Sequence, residues 1–173
     1  MNLSPDQDAR YLEAAAEHGG ALQRLARATE ANAERRRDLL QDMHVALWRS
    51  FASFDARCSL RTWVYRVAHN VAASHVDRER RTRAPFVDLE KIEHLPSAQN
   101  ISAELEESEA AAQLTAIIRQ LGSPDRQIIT LYLEGLDAAS IAEVTGLSAG
   151  AVATRISRLK TYLSAKFHEH AHV

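Results

Sequence analysis

Residues 137–163 read DAASIAEVTGLSAGAVATRISRLKTYL, and this stretch decides the fold. Asp137 stands just ahead of a short apolar run, where an aspartate caps the free N–H groups of a helix. Ile141, Ala142 and Val144 supply that helix, and Gly146 breaks it. Glycine takes the left-handed backbone that a tight turn needs. Ser148 then caps a longer helix whose Val152, Ile156, Leu159 and Leu163 face one side. Ala142 is small enough for the two helices to cross closely, and Ile141, Leu147, Val152 and Ile156 form the wedge between them. These are the parts of a helix-turn-helix, a unit that sets its second helix in the major groove with the N-terminal residues against base edges. Here those residues are Ser148, Ala149, Gly150 and Thr154, with Arg155, Arg158 and Lys160 placed to hold phosphates or bases. The competing reading is a plain helical hairpin inside a bundle. The basic second helix and the short first one favour DNA.

Upstream, Ser123-Pro124-Asp125 signals the start of a helix that ends near Gly135, and a further helix spans Glu104 to Leu121. Before it the composition changes. Residues 84–103 hold Pro85 and Pro96 and no long periodic run, which predicts a flexible acidic linker.

The N-terminal part reads as four further helical segments. Ser4 and Pro5 predict a helix start, Gly19-Gly20 a stop, and Ala21 to about Ala31 a second segment. From Ala33 to Phe51, the residues Leu40, Met43, Leu47, Phe51 and Phe54 recur at three- and four-residue steps and form one apolar stripe. At 100° per residue, Asp38, Asp42, Val45 and Arg49 fall opposite, with Gln41 beside them. A fourth helix starts near Ser59 and runs to Arg80 or Arg81, with Leu60, Trp63, Val64, Val67 and Val71 as its apolar stripe. The fold class is therefore all-α: two small helical domains, residues 1–83 and 104–173, joined by the linker.

Residues 54–70, FDARCSLRTWVYRVAHN, interleave Phe54, Trp63 and Tyr65 with Arg57, Arg61 and Arg66, three of only ten aromatic residues in the chain. Rings stack on bases and guanidinium groups hold phosphates. Arg61 and Arg66 point away from the apolar stripe; Trp63 lies on it, and Phe54 ends the stripe of the preceding helix. Arg78, Arg80, Arg81 and Arg83 extend the positive surface.

The net charge of −2 conceals a strong pattern. Residues 57–83 carry seven arginines against Asp77 and Glu79, residues 84–109 seven acids against Lys91, and residues 137–167 four bases against two acids. Basic, acidic and mildly basic segments follow one another, so two basic patches coexist with near-neutrality. Cys58 is the only cysteine, which excludes an intramolecular disulfide and predicts a cytoplasmic protein. The start, MNLSPDQDAR, lacks a signal-peptide pattern, and no apolar run approaches the roughly 20 residues that span a bilayer, so no membrane insertion is expected. No phosphate-cradling GxxxxGK[ST] loop, HExxH motif or Ser–His–Asp set is present, so neither an enzyme nor a metal or other cofactor is expected. His168, His170 and His172 read as a solvated tail, and Cys58 as inert.

The order of parts — RDLLQDMHVALWRSFASFD, then SLRTWVYRVAHNVAASHVDRERR, an acidic linker, and a helix-turn-helix ending SAGAVATRISRLK — resembles a bacterial RNA polymerase sigma factor of the small extracytoplasmic-function (ECF) class, from about residue 8 to 166. The resemblance implies a transcription initiation factor that binds core RNA polymerase and promoter DNA and is held by an anti-sigma factor. It implies that Asp38, Gln41, Asp42, Trp48 and Arg49 dock on the polymerase. It implies that Arg57, Arg61, Trp63, Arg66, Asn70, Arg78, Arg80 and Arg81 meet the −10 element, with Asn70 near a pocket for a flipped base. It assigns Ser148, Ala149, Thr154, Arg155, Arg158 and Lys160 to the −35 element. The family's recognition helix commonly reads Pro-Val-Gly-Thr-Val-Lys/Arg-Ser-Arg. This chain has Ser148-Ala149-Gly150-Ala151-Val152-Ala153-Thr154-Arg155, so Ala153 replaces a basic residue and one DNA contact is missing.

Two rival readings differ in class. A sigma-like decoy would bind an anti-sigma protein without touching DNA and would lose the arginines that this chain keeps. A dimeric helix-turn-helix regulator would need a sensor in residues 1–83 and leaves DLLQD unexplained.

Overall fold

The computed structural model describes residues 5–83 and 109–171. The expected Ser4 cap, the acidic linker, the helix start at Glu104 and His172 lie outside the described residues. Seven α-helices and one 3₁₀ turn make up the rest: α1 Pro5–Thr29, α2 Ala33–Ser50, the 3₁₀ turn Phe51–Ser53, α3 Leu60–Arg83, α4 Glu109–Gln120, α5 Asp125–Leu133, α6 Ala138–Thr145 and α7 Ala149–Ala171. Among the described residues there is no strand, as the sequence predicts.

The first three helices pack together through Ala14, Leu22, Leu25, Leu39, Met43, Leu47, Phe51, Val64, Ala68 and Ala72. Two expectations need correction here. Gly19-Gly20 does not end a helix; α1 runs straight through both. A glycine inside a helix costs about 1 kcal/mol, and the burial of Ala14, Leu22, Leu25 and Ala26 on either side outweighs it, at about 1.5–3 kcal/mol for each large side chain. In α2 the innermost residue of the first turns is Leu39, fully buried, while Leu40 is half-buried. Met43, Leu47 and Phe51 are buried as predicted and Leu40 packs at the edge of the same core; the stripe only begins at Leu39, one four-residue step before Met43. Asn32 caps α2, its side chain accepting from the N–H groups of Glu34 and Arg35, both at 3.0 Å.

The second core joins Ile117, Ile118, Ile128, Ile129, Leu131, Leu136, Ile141, Val144, Val152, Leu159 and Leu163. It continues without interruption into Ala21, Ala28 and Tyr65 from the first three helices. The two halves therefore meet on an apolar seam.

Local signals in the second half hold. Asp137 accepts from the Ser140 N–H at 2.8 Å, and the Ser148 hydroxyl from the Ala151 N–H at 3.2 Å. Gly146 adopts φ +76°, the left-handed conformation the turn requires. Gly135, at φ +80°, closes α5: its N–H donates to the Tyr132 carbonyl at 2.9 Å and the Leu136 N–H to the Leu131 carbonyl at 3.2 Å. That double bond pattern is the Schellman end of a helix. At the start of α5, by contrast, no side chain caps the helix. α7 continues to Ala171, so His168 sits exposed on a helix and not in a coiled tail.

Candidate nucleic-acid interface

Three surfaces carry the residues singled out by sequence. The first is the outer face of α2. Asp38, Gln41, Asp42, Val45 and Arg49 are all exposed, opposite the buried Leu39, Met43 and Leu47. Trp48 is different. It is half-buried, its indole N–H donates to Asp8 at 2.8 Å, and its carbonyl accepts from the Gln7 amide at 2.7 Å. It ties α1 to α2, at the edge of the acidic face.

The second surface is the loop before α3 and the outward side of α3. In the loop, Ala56 has φ +58°, an uncommon left-handed conformation for a residue with a side chain. Asp55 stabilises the bend: its carboxylate accepts from the Arg57 backbone N–H at 3.2 Å and pairs with the Arg57 guanidinium. That pairing holds the Asp55 carboxyl below the usual carboxylate range. Phe54 stacks at 5.2 Å from the Trp63 ring and 6.1 Å from Phe51. Trp63 is half-buried, and its indole N–H donates to the Ser50 hydroxyl at 2.9 Å. Phe54 and Trp63 thus build the loop's foundation. Asn70, Arg78, Arg80 and Arg81 are exposed along α3.

Arg61, exposed, and Arg66, half-buried, do point away from the apolar stripe, and each is hydrogen-bonded across the molecule. Arg61 Nη2 donates to the Glu134 carbonyl at 2.6 Å, and Arg66 Nη2 to the Glu143 carbonyl at 2.8 Å. Both acceptors belong to the second half. Arg61 also lies over the ring of Tyr65, which is buried in the seam. Beside them, Arg24 grips the Glu134 carboxylate with two bonds of 2.6 and 2.7 Å. Arg119 Nη1 donates to the Arg27 carbonyl at 3.1 Å. Sequence reasoning missed Arg24, Glu134 and Arg119, and it grouped Tyr65 with rings available to bases, whereas Tyr65 is buried in the seam. The one local signal was Gly135, which marks where α5 leaves a carbonyl without a helical partner.

The third surface is the N-terminal part of α7. Ser148, Ala149, Gly150, Ala151, Ala153, Thr154, Arg158 and Lys160 are exposed, while Val152 and Leu159 are buried. Arg155 is half-exposed and pairs with Asp125 at 2.7 Å. Lys160 sits 5.8 Å over the Tyr132 ring. Five of the six residues assigned to this helix are therefore exposed, and Arg155 is half-exposed and braced from α5.

A cluster between α1, α2 and α3 sits next to the arginine run. Burial opposes ionisation of Glu30, but the Asn32 N–H at 2.8 Å, His75 at 3.1 Å and Arg35 at 3.2 Å outweigh it and hold its carboxyl below the ordinary value. Glu30, Arg35 and His75, with Arg80, Arg119 and Arg126, line a cleft of about 570 Å³. Burial, and then the nearby Arg80 and Arg119 charges, push the Arg126 guanidinium down. Among the described residues no group of acids, histidines and cysteine is arranged to hold a metal, and no helix is long and apolar enough to cross a membrane.

Comparison with known proteins agrees with this layout. The profile for Sigma-70 region 2 matches residues 15–82, and that for Sigma-70 region 4 matches residues 111–163. The chain is 30% identical to the RNA polymerase sigma factor CnrH of Cupriavidus metallidurans over 162 residues, covering 87% of this chain and 82% of that one. It is 28% identical to the ECF RNA polymerase sigma factor SigC of Mycobacterium tuberculosis over 165 residues, 89% and 87% of the two chains. Among solved structures it resembles CnrH in complex with the cytosolic domain of CnrY, at TM-score 0.63 and 26% identity over 90% of this chain and 85% of that one. It shares its fold with the sigma factor RpoE bound to the anti-sigma factor NepR from Bartonella quintana, at TM-score 0.70 and 21% identity over 91% and 96%. The chain belongs to the sigma-70 family and is a sigma factor of the ECF type.

Proposed function

We propose that this sigma factor binds core RNA polymerase through the outer face of α2, reads a −35 element with α7, and captures the melted −10 strand with α3 and the loop before it. Residues 1–83 form the unit for polymerase and −10 contact, residues 84–103 the connection, and residues 104–173 the −35 unit. The observation that carries the reading is the exposure of two separate faces of matching chemistry. The acidic α2 face, Asp38, Gln41 and Asp42, suits a basic helical surface on the polymerase. The first turns of α7 offer hydroxyls and backbone without bulky side chains, flanked by Arg155, Arg158 and Lys160, which suits close approach to duplex DNA.

The mechanism is binding energy and not bond chemistry. Melting exposes base faces and edges, and unstacking a base costs a few kcal/mol. Arginines on α3 hold the phosphates of the displaced strand, Asn70 offers an amide to a base edge, and Arg78, Arg80 and Arg81 meet the duplex upstream. Trp63, seated on Phe54 and Ser50, supports the loop and presents a ring edge at the fork. These contacts form only in the open state, so they stabilise it. An anti-sigma partner is part of the proposal, since one solved neighbour is bound to the anti-sigma factor NepR and CnrH is bound to the cytosolic domain of CnrY.

The test is reconstituted transcription: purified chain, sigma-free core polymerase and a library of genomic fragments, with an Asp42→Arg control. Discrete transcripts that disappear with the control establish the reading. Absence of both transcripts and core binding overturns it in favour of the decoy.

A further inference from the structure

The cleft beside Glu30 lies where α1 and α3 face the corner between α4 and α5, and the contacts proposed above touch it only at Arg80. Four arginines line it, Arg35, Arg80, Arg119 and Arg126, against two carboxylates, Glu30 and Glu79. Both carboxylates turn to Arg35, at 3.2 and 3.9 Å, and Glu30 also meets His75 at 3.1 Å. Arg126 is held differently. Its Nε donates to the Leu121 carbonyl at 3.0 Å and its Nη2 to the Arg119 carbonyl at 2.6 Å, both at the C-terminal end of α4. Its Nη1 has no partner, and no carboxylate pairs with it, among the described residues. Arg80 is exposed and pairs with no carboxylate among the described residues. A second hollow of about 90 Å³ adjoins the cleft and shares Thr29, Val76, Arg80 and Arg126 with it. Leu25, Ala72 and Ala73 make this hollow mostly apolar, and Asp77, Ser123 and Gln127 add polar groups to its wall.

We infer that this cleft binds a small molecule bearing two linked phosphates, held by Arg80 and Arg126, with its less polar part in the adjoining hollow; a nucleoside diphosphate has that chemistry. Guanidinium groups recognise phosphate through paired, charge-assisted hydrogen bonds. Arg126 is already fixed by its two carbonyl bonds, so it loses little freedom when it takes up an anion. Arg80 comes from α3 and Arg126 from α5, so a linked pair of phosphates can engage both walls. Burial and the nearby Arg80 and Arg119 charges oppose ionisation of Arg126, and a bound anion relieves the repulsion. An apolar hollow with a few polar groups at its wall is the usual make-up of a small-molecule site. There Asp77 can accept from a ring amino group, and the Gln127 amide can donate or accept. The site does not depend on the strand-capture reading.

The test is titration calorimetry of the full chain, at one fixed salt concentration, with ADP, GDP, inorganic pyrophosphate, adenosine and guanosine. ADP or GDP should bind at one site per chain, pyrophosphate about tenfold more weakly, and the nucleosides without detectable heat. Arg126→Gln should weaken the diphosphate by about tenfold or more. Because Arg126 also braces the end of α4, a second variant guards against a folding defect. Gln127→Glu keeps the size of the side chain, sets a carboxylate beside Arg126, and should weaken binding to a similar degree with the melting temperature unchanged. Arg37→Gln removes the same charge from an exposed position of α2 outside the cleft and should leave binding as it was. Failure of ADP, GDP and pyrophosphate alike to bind the parent overturns the site. So does equal weakening by Arg37→Gln, which would mean diffuse charge and no built site. Pyrophosphate binding as tightly as the nucleotides keeps the phosphate site and overturns the role of the hollow. Nucleosides binding as tightly as the diphosphates overturn the role of the arginines.

Discussion

Two arginines in the first turns of α3 and the basic residues of α7 have the same chemistry and different circumstances. Arg61 and Arg66 are committed to carbonyls 73 and 77 residues away in sequence. On α7, Ser148, Ala149, Thr154, Arg158 and Lys160 face solvent, and Arg155 pairs with Asp125, a neighbour inside its own half. Both helices keep an apolar stripe inward and a polar face outward. What differs is the second layer. Near its start α3 meets the second half, where Arg61 and Arg66 reach carbonyls at the ends of α5 and α6, while Asn70, Arg78, Arg80 and Arg81 farther along it stay exposed and nothing among the described residues covers the start of α7. Basic residues of similar chemistry thus differ in their ties, and charge alone gives no hint of which are bonded across the molecule.

The largest test of that contrast is Tyr65→Ala. It empties the seam, costs about 3–5 kcal/mol, and should lower the melting temperature of both halves together by calorimetry. Two separate transitions, one unshifted, would show that the halves are not joined through Tyr65.

Acid should destabilise the molecule through groups in its first half. Burial pushes the His69 ring down to about 3, from an ordinary value of 6.5. The unfolded chain therefore binds a proton that the folded chain refuses, and stability falls as pH drops below about 6.5, by on the order of 2 kcal/mol at pH 5. Glu30 adds to the loss at lower pH, because its carboxyl is held below the ordinary value and its contribution disappears as it protonates. His69→Leu should flatten the slope between pH 6.5 and 5 in urea titrations, and an unchanged slope would remove His69 as the cause.

Asp137→Ala should cost about 1 kcal/mol through loss of the α6 cap. Amide exchange checks where: α6 and the turn before α7 should open, with α2 unaffected. The smallest effect is a gain. Ala153→Arg restores a cation at an exposed position of α7, and duplex binding should strengthen a few-fold, with the salt slope steeper by about one. No change in slope would place position 153 away from phosphate and sharpen the reading of which turn of α7 faces DNA.

Most elements were legible because their causes are local. The Asp137 and Ser148 caps, the Gly135 and Gly146 stops and the outward set Asp38, Gln41 and Asp42 follow from spacing within a few residues. Where reading failed, packing had overridden a local preference. Gly19-Gly20 favours a break taken alone, but Leu22 and Leu25 beyond it are buried against α2 and α3 and carry the helix through. The stripe of α2 was read through Leu40 because Leu39 and Leu40 satisfy a periodic pattern almost equally, and only the position of α1 and α3 distinguishes them.

By itself, then, the sequence determined most of the helices, the caps at Asp137 and Ser148, the helix-turn-helix and the distribution of charge, all of which arise from interactions between residues near each other along the chain. The tertiary structure alone decided which basic residues are tied to the other half of the molecule. Arg24, Arg61 and Arg66 find their partners 110, 73 and 77 residues away, and two of the three bonds end on main-chain carbonyls. Every residue carries such a carbonyl, so no side-chain pattern marks the two that are free at helix ends and within reach.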